Sequence, residues 1–460
     1  MIFDTENREA VRVTDYSDDD ALRGQGDSCL KWAALVVLAA CGAAKPGPTS
    51  QPTIDTIAGA ALREGGAVGL SIVVMHGDQV VHGRGYGLAD VDHHVTATER
   101  SVYPLASLSK QYWGLGIAQL VESGRLAVDS SIADVLHDFP DRRVSVRHLL
   151  THTSGLGDDA PDEDDVTFRD APKVMFEPGS WWHYSNRGSI LARRIVEQLN
   201  GGSWDRYLHD RIATPLGLTS TTTCTFDNHV RLYGKQPLLP ASEMTRIAFV
   251  CANAIDVARF ERSLDTGALV RPETVRQMRT ATRIAGFELP YGWFTRIGEL
   301  GGHRAYGHTG NFPGVSVAAF RFPADDLTIV VLMNSSPKAG FRAYELVTRI
   351  ARAELGLAEP ELHDGKVPHT ELEAIAGTYV YGDVRVTVSD RDGSAWITIV
   401  EGGKQVYEGA LVWAGGRSFA GGPDGVHADE LGTFLPPSGK ATALAVGHRM
   451  LLDNVFRREP

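Results

Sequence analysis

The sequence predicts an α+β domain followed by a small all-β domain, and three observations carry that prediction. Strand-forming pairs occur near residues 68–89 and 315–334, with a mostly helical stretch between them, so one sheet must be assembled from distant parts of the chain. Beyond a Pro/Gly-containing segment at 359–369, short alternating strands and Gly-rich turns continue to Phe456, the pattern of a barrel or sandwich. The 460 residues are too many for one ordinary core, which fits two domains plus tails.

At the start, Lys31 is followed by the apolar stretch 32–40 and by Cys41-Gly42. That stretch is too short to span a bilayer but suits the apolar centre of a signal peptide. Leu38-Ala39-Ala40-Cys41 resembles a bacterial lipoprotein cleavage site. Residues 1–41 are therefore expected to be a leader, Cys41 the lipid-bearing residue, and the Pro/Ser/Thr-rich segment 42–53 a flexible tether. A buried apolar helix is the competing reading of 32–40. Roughly thirty polar, acidic residues precede Lys31 where a short basic segment belongs, so the true start is expected downstream of Met1. The expected location is the bacterial cell envelope, periplasmic and lipid-anchored, or the exterior.

The α+β domain is expected over 54–358. Ile54, Ile57, Ala58, Ala61 and Leu62 have the spacing of an amphipathic helix. Val68–Met75 and Val80–Ala89 flank Gly77-Asp78 as a hairpin would. Inside the second run, Gly83-x-Gly85-x-Gly87 does not stand between a strand and a helix, so it reads as glycines of a twisted strand and not as a nucleotide loop. From Tyr112 to about Phe260 the pattern is mostly helical. Val315–Phe322 and Leu327–Asn334 form a second strand–turn–strand unit, followed by a helix with Ala343, Leu346, Val347, Ile350 and Ala351 on one face. The segment 359–369 reads as a linker and 370–460 as the β domain, where Val384, Val386 and Val388 alternate before the turn Asp392-Gly393.

Composition excludes several functions. With 45 basic and 57 acidic side chains the formal charge is −12, and no basic run offers contacts to nucleic acid or to an anionic membrane surface. The four cysteines, at 29, 41, 224 and 251, match no zinc framework. The two outside the leader, Cys224 and Cys251, are expected as buried free thiols. No metal or organic cofactor is called for.

Ser107-Leu108-Ser109-Lys110 is a Ser-x-x-Lys motif, one of three in the chain. Ser28/Lys31 lies in the leader, and Ser335/Lys338 encloses Pro337, which disfavours a helical turn. Only Ser107/Lys110 opens a credible helix, with Trp113, Ile117, Leu120 and Val121 as its apolar positions. Spacing i, i+3 puts the hydroxyl and the amine on one face, and the helix N-terminus supplies N–H groups for a developing oxyanion. Alone the motif is weak. Its weight comes from two partners that each occur once, Tyr184-Ser185-Asn186 and His308-Thr309-Gly310, the latter directly before a strand.

A serine hydroxyl is a poor nucleophile until a neighbour takes its proton. A buried lysine beside a tyrosine favours phenolate, and burial lowers the lysine pKa, so either group can serve as base. Asn186 can hold Lys110 through its amide oxygen and offer its NH2 to a substrate carbonyl.

With these motifs the chain resembles the serine β-lactamase-like superfamily: class C β-lactamases, D,D-peptidases, family VIII-type esterases and D-aminopeptidases. Gly85-Tyr86-Gly87-Leu88-Ala89-Asp90, the run His148–Leu156 and Pro178-Gly179 before Trp181 are similar to that family's recurring segments, and the resemblance spans roughly 54–355. It implies a β-lactamase/transpeptidase-like fold, an antiparallel sheet with flanking helices and a helical subdomain. It implies Ser107 as nucleophile, Lys110 as its proton partner and Tyr184 as base for acylation and acid for the leaving group. The backbone N–H groups of Ser107 and Asn311 would form the oxyanion hole, with Thr309 and Gly310 beside the substrate. The appended β domain is similar to those of esterase and D-aminopeptidase relatives. At His308 many relatives carry Lys, whose fixed charge holds a substrate carboxylate. A histidine is only partly protonated near neutrality, which shifts the expectation toward esters and other amides.

The expected function is a serine hydrolase forming an acyl-enzyme on Ser107, acting on a small ester, β-lactam or D-amino-acid peptide. The rival is a non-catalytic, penicillin-binding-like protein that holds cell-wall fragments or a partner. Three further signals read as structural. His148 and His152 at i, i+4 lack a third metal ligand. The acidic run 158–165 lacks calcium-loop spacing and reads as a solvated loop. Trp181 and Trp182 suit a core as well as an acyl pocket.

Overall fold

The computed structural model describes residues 53–157, 174–225, 227–234, 238, 241–358, 367–415, 418–420, 430–448 and 451–459. The leader with Cys41, nearly all of the tether, the acidic run and most of the expected linker lie outside these residues.

The expected sheet forms from both ends of the first domain. Its strands are β1 (Gly69–His76), β2 (Gln79–Asp90), β3 (Val95–Thr96), β4 (Arg296–Leu300), β5 (His303–Phe312), β6 (Val315–Phe322) and β7 (Leu327–Met333). They lie in the order β3-β2-β1-β7-β6-β5-β4, and every pair is antiparallel. β1, β6 and β7 are buried almost throughout, as near-continuous apolar strands must be when both faces are covered. Alternation sends Leu70, Ile72 and Val74 to one layer and Val73 and Met75 to the other.

The first layer is closed by α1 (Ile54–Arg63) and the C-terminal helix of this domain (Ala343–Leu355), through Ile57, Ala58, Ala61, Leu346, Val347 and Ile350. The second layer carries the site. It contains α2 (Ser109–Glu122), α3 (Asn186–Asn200) and α4 (Ala254–Thr266). Two of these helices start at side-chain caps. Ser185 caps α3 by accepting from the Gly188 N–H at 3.0 Å, and Gly201, at φ 67°, ends it in the left-handed conformation. Asn253 caps α4 by accepting from the Asp256 N–H at 2.8 Å.

The Gly-x-Gly-x-Gly run is part of β2, as expected. A Cβ on Gly85 would stand 2.1 Å from the Ala97 backbone, and Gly87 has φ +68° with Val68 O only 2.2 Å from where its Cβ would be. These glycines allow two backbones to meet. The cysteine expectation is overturned: Cys224 and Cys251 form a disulfide with Cα atoms 4.9 Å apart. A three-stranded sheet causes it, because pairing of Thr222 with Cys251 and Thr223 with Val250 brings Cys224 alongside a strand that sequence spacing does not reveal.

The β domain opens with a helix, His369–Ile375, where linker and strand were expected. Leu372 and Ile375 are its buried positions, and the Tyr379 hydroxyl donates to Ile375 O at 2.6 Å, so the helix plugs the sheet that follows. That sheet has nine strands, and its first, Gly377–Tyr381, pairs with its last, Leu451–Arg458. Its outer strands, Lys404–Ala410 and Val412–Gly415, are consecutive in sequence yet lie at opposite edges, which makes a curled half-barrel and not a closed one. Val384, Val386 and Val388 are buried alternately, as their spacing predicts.

The β domain also packs on the segment before α3. Trp181, Trp182, Phe287, Leu289 and Tyr291 share an apolar cluster with Ala443, Ala445 and Val455. Trp181 donates its indole N–H to Val455 O at 3.2 Å, and the Arg457 guanidinium lies 4.4 Å from its ring centre. Both tryptophans are therefore packing residues. Among the described residues no helix is long and apolar enough to cross a membrane.

Candidate active site

Ser107 lies in a 3-10 turn, Ala106–Leu108, that leads directly into α2. Its neighbours Ala106 and Leu108 are buried while Ser107 keeps partial exposure, so the hydroxyl is presented from an anchored backbone. Ala106 holds φ +48°, a left-handed conformation that costs a non-glycine residue free energy and needs surrounding contacts to persist. One such contact is Gly310 of β5. A Cβ there would fall 2.3 Å from Leu105 O and 2.9 Å from the Ala106 Cβ, so only glycine lets the strand lie against this turn. The close approach brings the strand segment with Gly310 against the turn that holds Ser107.

Strand β4 pairs with β5 only as far as Arg296 opposite Gly307. From His308 to Phe312, β5 continues past its outer partner, so β4 leaves that stretch of its outer backbone edge unpaired. The His-Thr-Gly-Asn run occupies this overhang. Thr309 and Gly310 are buried and Asn311 is exposed.

Lys110 is 2% exposed. Its Nζ donates to Ser107 Oγ at 3.0 Å and to Asn186 Oδ1 at 2.9 Å. Asn186 is the first residue of α3, so two helix N-termini converge on one amine. The ring centre of Tyr184 is 4.8 Å from the same Nζ. The Tyr184 hydroxyl is buried and has no hydrogen-bond partner among the described residues. The structure thus brings Ser107, Lys110 and Asn186 into direct contact and places the Tyr184 ring over the amine. It shows no hydrogen bond from the phenol to the serine.

The expectation for His308 is corrected. It is fully buried, Nε2 lies 3.0 Å from the Tyr291 hydroxyl, and Nδ1 lies 2.6 Å from Thr309 O. Burial, reinforced by the Arg296 charge, holds its pKa well below the ordinary value, so it is neutral near pH 7 and not partly charged. His152, also buried, lies 3.1 Å from the same Tyr291 hydroxyl, and its pKa too is held low, first by burial and then by Lys110. His148 and His152 do not share a helix face: the helix Val146–Leu150 ends first, and His152 has φ +56°. His148 completes the cap of that helix by accepting from the Ser145 N–H at 3.2 Å. Among the described residues no group of three or more His, Cys, Asp or Glu is placed to hold a metal.

Sequence reasoning missed Tyr291 and Arg296. Arg296 is 6% exposed, with its guanidinium carbon 6.0 Å from the Tyr184 ring centre. Neither sits in a recognisable motif: Arg296 reaches the site by pairing opposite Gly307, and Tyr291 by a bridge to Arg296 just before β4. The only sequence signal for Arg296 is a charge at the start of a short strand that also carries Glu299.

A family model described as Beta-lactamase matches residues 54–353. Penicillin-binding protein 4* of Bacillus subtilis (strain 168) is 25% identical over 310 residues, 57% of this chain and 67% of its own length. The octameric penicillin-binding protein homologue from Pyrococcus abyssi superposes with a TM-score of 0.60 at 20% identity, covering 88% of this chain and 98% of that one. D-amino acid amidase from Ochrobactrum anthropi SV3, solved with L-phenylalanine amide, gives a TM-score of 0.58 at 23% identity over 66% of this chain and 97% of its own. At such identities the structural likeness speaks for the fold.

Proposed function

The chain belongs to the beta-lactamase family, and from that premise we propose that it is a serine hydrolase acylated on Ser107. The observation that carries this reading is the position of the Lys110 amine, buried and held between Ser107 Oγ and Asn186 Oδ1. A pure binding site has no need of an amine locked onto a serine hydroxyl.

In the proposed reaction the Lys110–Tyr184 pair takes the Ser107 proton as Oγ attacks the acyl carbon. The carbonyl oxygen becomes an oxyanion facing the N–H groups of Ser107 and Asn311. On collapse the leaving group departs with a proton supplied from Tyr184 or Lys110. Water then attacks the acyl-enzyme by the reverse set of proton transfers. The names of the relatives point to penicillins and D-amino-acid amides, and an ester has the same reactive carbon. Neutral His308 gives no fixed charge for a carboxylate at its place on β5, which favours esters and uncharged amides.

Labelling with a fluorophosphonate and with a fluorescent penicillin tests the proposal, with Ser107→Ala as control. We expect an adduct on Ser107 and turnover of a short-chain nitrophenyl ester faster than of a chromogenic cephalosporin or a D-alanyl amide. Absence of any adduct under all conditions would favour the binding-protein reading. Cephalosporin turnover far above ester turnover would overturn the substrate preference. We further propose a cell-envelope location with Cys41 lipidated. The Cys224–Cys251 disulfide supports an oxidising compartment, and labelled palmitate incorporation that survives Cys41→Ser would refute the anchor.

A further inference from the structure

We propose that Tyr291 is a positioning residue of this site: its hydroxyl joins His152 and His308 in a one-way chain of hydrogen bonds that fixes one tautomer on each ring and seats Tyr184 against Lys110. The proposal rests on the serine-hydrolase reading for its kinetic consequences but not for its geometry.

The direction of the chain follows from its two ends. At one end the Ser185 backbone N–H donates to His152 Nδ1 at 3.1 Å. A backbone N–H can only donate, so Nδ1 presents a lone pair and the proton of a neutral ring lies on Nε2. That Nε2–H points at the Tyr291 hydroxyl, 3.1 Å away. At the other end His308 Nδ1 is 2.6 Å from Thr309 O, and a carbonyl can only accept, so the His308 proton lies on Nδ1. His308 Nε2 is then a lone pair, and the Tyr291 O–H donates to it at 3.0 Å. A single arrangement with two neutral rings satisfies all four hydrogen bonds.

A proton added to His308 Nε2 would reverse the last bond. Tyr291 would accept from both rings, and its own hydrogen would be stranded in a site where all three residues are fully buried. The surroundings act in the same direction. Lys110 from α2 and Arg296 from β4 bear on both rings, and His183 from the segment before α3 bears on His152. The tyrosines facing the pair are Tyr184 and Tyr291.

The chain also forms the surface on which Tyr184 lies. The Tyr184 ring centre is 4.3 Å from that of His152 and 6.2 Å from that of His308. His152 keeps its left-handed backbone through bonds to the preceding helix end and to the segment before α3: its N–H donates to Leu149 O at 3.2 Å, and its C=O accepts from the His183 N–H at 2.9 Å. Tyr291 thereby connects the His-Thr-Gly overhang of β5 to the Tyr-x-Asn segment, two of the three stretches that must meet around the serine.

Two measurements on the full-length protein test this. Imidazole nitrogen NMR needs no substrate: wild type should show His152 protonated at Nε2 and His308 at Nδ1, both unchanged between about pH 5.5 and 8. A His308 ring protonated at Nε2, or titrating in that interval, would overturn the proposal. Tyr291→Phe keeps the ring volume and removes only the hydroxyl. With the donor to its neutral form gone, His308 should take up a proton at higher pH than in wild type. Ser107 labelling and ester turnover should slow by roughly tenfold to a hundredfold, with little change in the KM of ester turnover, and should acquire a new acid limb. Wild-type labelling rate and pH profile in a folded Tyr291→Phe protein would remove the positioning role while leaving the hydrolase reading intact. Conversely, a wild type that never labels but shows the stated tautomers would sink the hydrolase reading and spare the chain.

Discussion

Two buried polar groups separate what stabilises this protein from what it is suited to do. The Tyr184 hydroxyl is out of water without a hydrogen bond among the described residues, a costly arrangement that folding alone would not favour. Tyr184→Phe is therefore expected to leave the thermal midpoint unchanged or raise it, by up to about 1–2 kcal/mol of stability, while Ser107 acylation falls by roughly 10²–10⁴-fold. Calorimetry and labelling kinetics on the same preparation check both halves. Glu261 of α4 is the second group. It is buried, with one carboxyl oxygen unpartnered and the other accepting from Gln111 at 3.4 Å, and burial pushes its pKa up to about 8 despite the Arg279 charge. A carboxyl whose folded pKa exceeds its unfolded one binds more protons when folded. Its contribution is complete below about pH 4.5 and is lost as pH rises through 8. Glu261→Gln should flatten the decline in denaturant midpoints between about pH 5 and 8. An unchanged decline would place its cause elsewhere.

At the scale of single elements, the site is made by ends and overhangs. Two helix starts supply Lys110 and Asn186, and the part of β5 beyond its pairing with β4 supplies the open edge. The turn holding Ser107 is braced by the small sheet in which Tyr103 pairs with Ala252 and Pro104 with Cys251. The disulfide fastens that sheet and spans 27 residues. Loop-closure entropy assigns such a crosslink about 3.5 kcal/mol. The double variant Cys224→Ser, Cys251→Ser should lose stability of that order by chemical denaturation. Because both sulfurs are buried, the native protein should resist thiol reductants until it is partly unfolded.

Across the whole molecule the β domain belongs to the site's construction. Beyond the tryptophan cluster, Tyr381 of its first strand stands 2.7 Å from His183 Nδ1, one residue before Tyr184. Removing residues 367–460 would expose Trp181, Phe287 and Leu289 and release this segment, so the truncated chain should aggregate and fail to label. Tyr381→Phe is the milder test. The lost hydrogen bond, worth about 1 kcal/mol, should lower the thermal midpoint by a few degrees and slow labelling severalfold. A labelling rate equal to wild type would mean that the β domain braces the fold without seating Tyr184.

Much of this was legible in the chain itself. The apolar runs of β1, β6 and β7 announced one sheet assembled from distant parts of the chain, and the alternating valines announced the β domain, because burial periodicity is a local property. Ser107, Lys110 and Asn186 were legible because spacing along a helix start and rarity of the motifs do not depend on the rest of the fold. Other features were decided by tertiary structure alone. The disulfide depends on strand neighbours, the neutrality of His308 on how deeply it is buried, and the part played by Tyr291 on three segments meeting at one hydroxyl. Sequence determines what each segment prefers and which groups it carries. Distances between segments, and the dielectric in which their charges sit, arise only when the chain closes on itself.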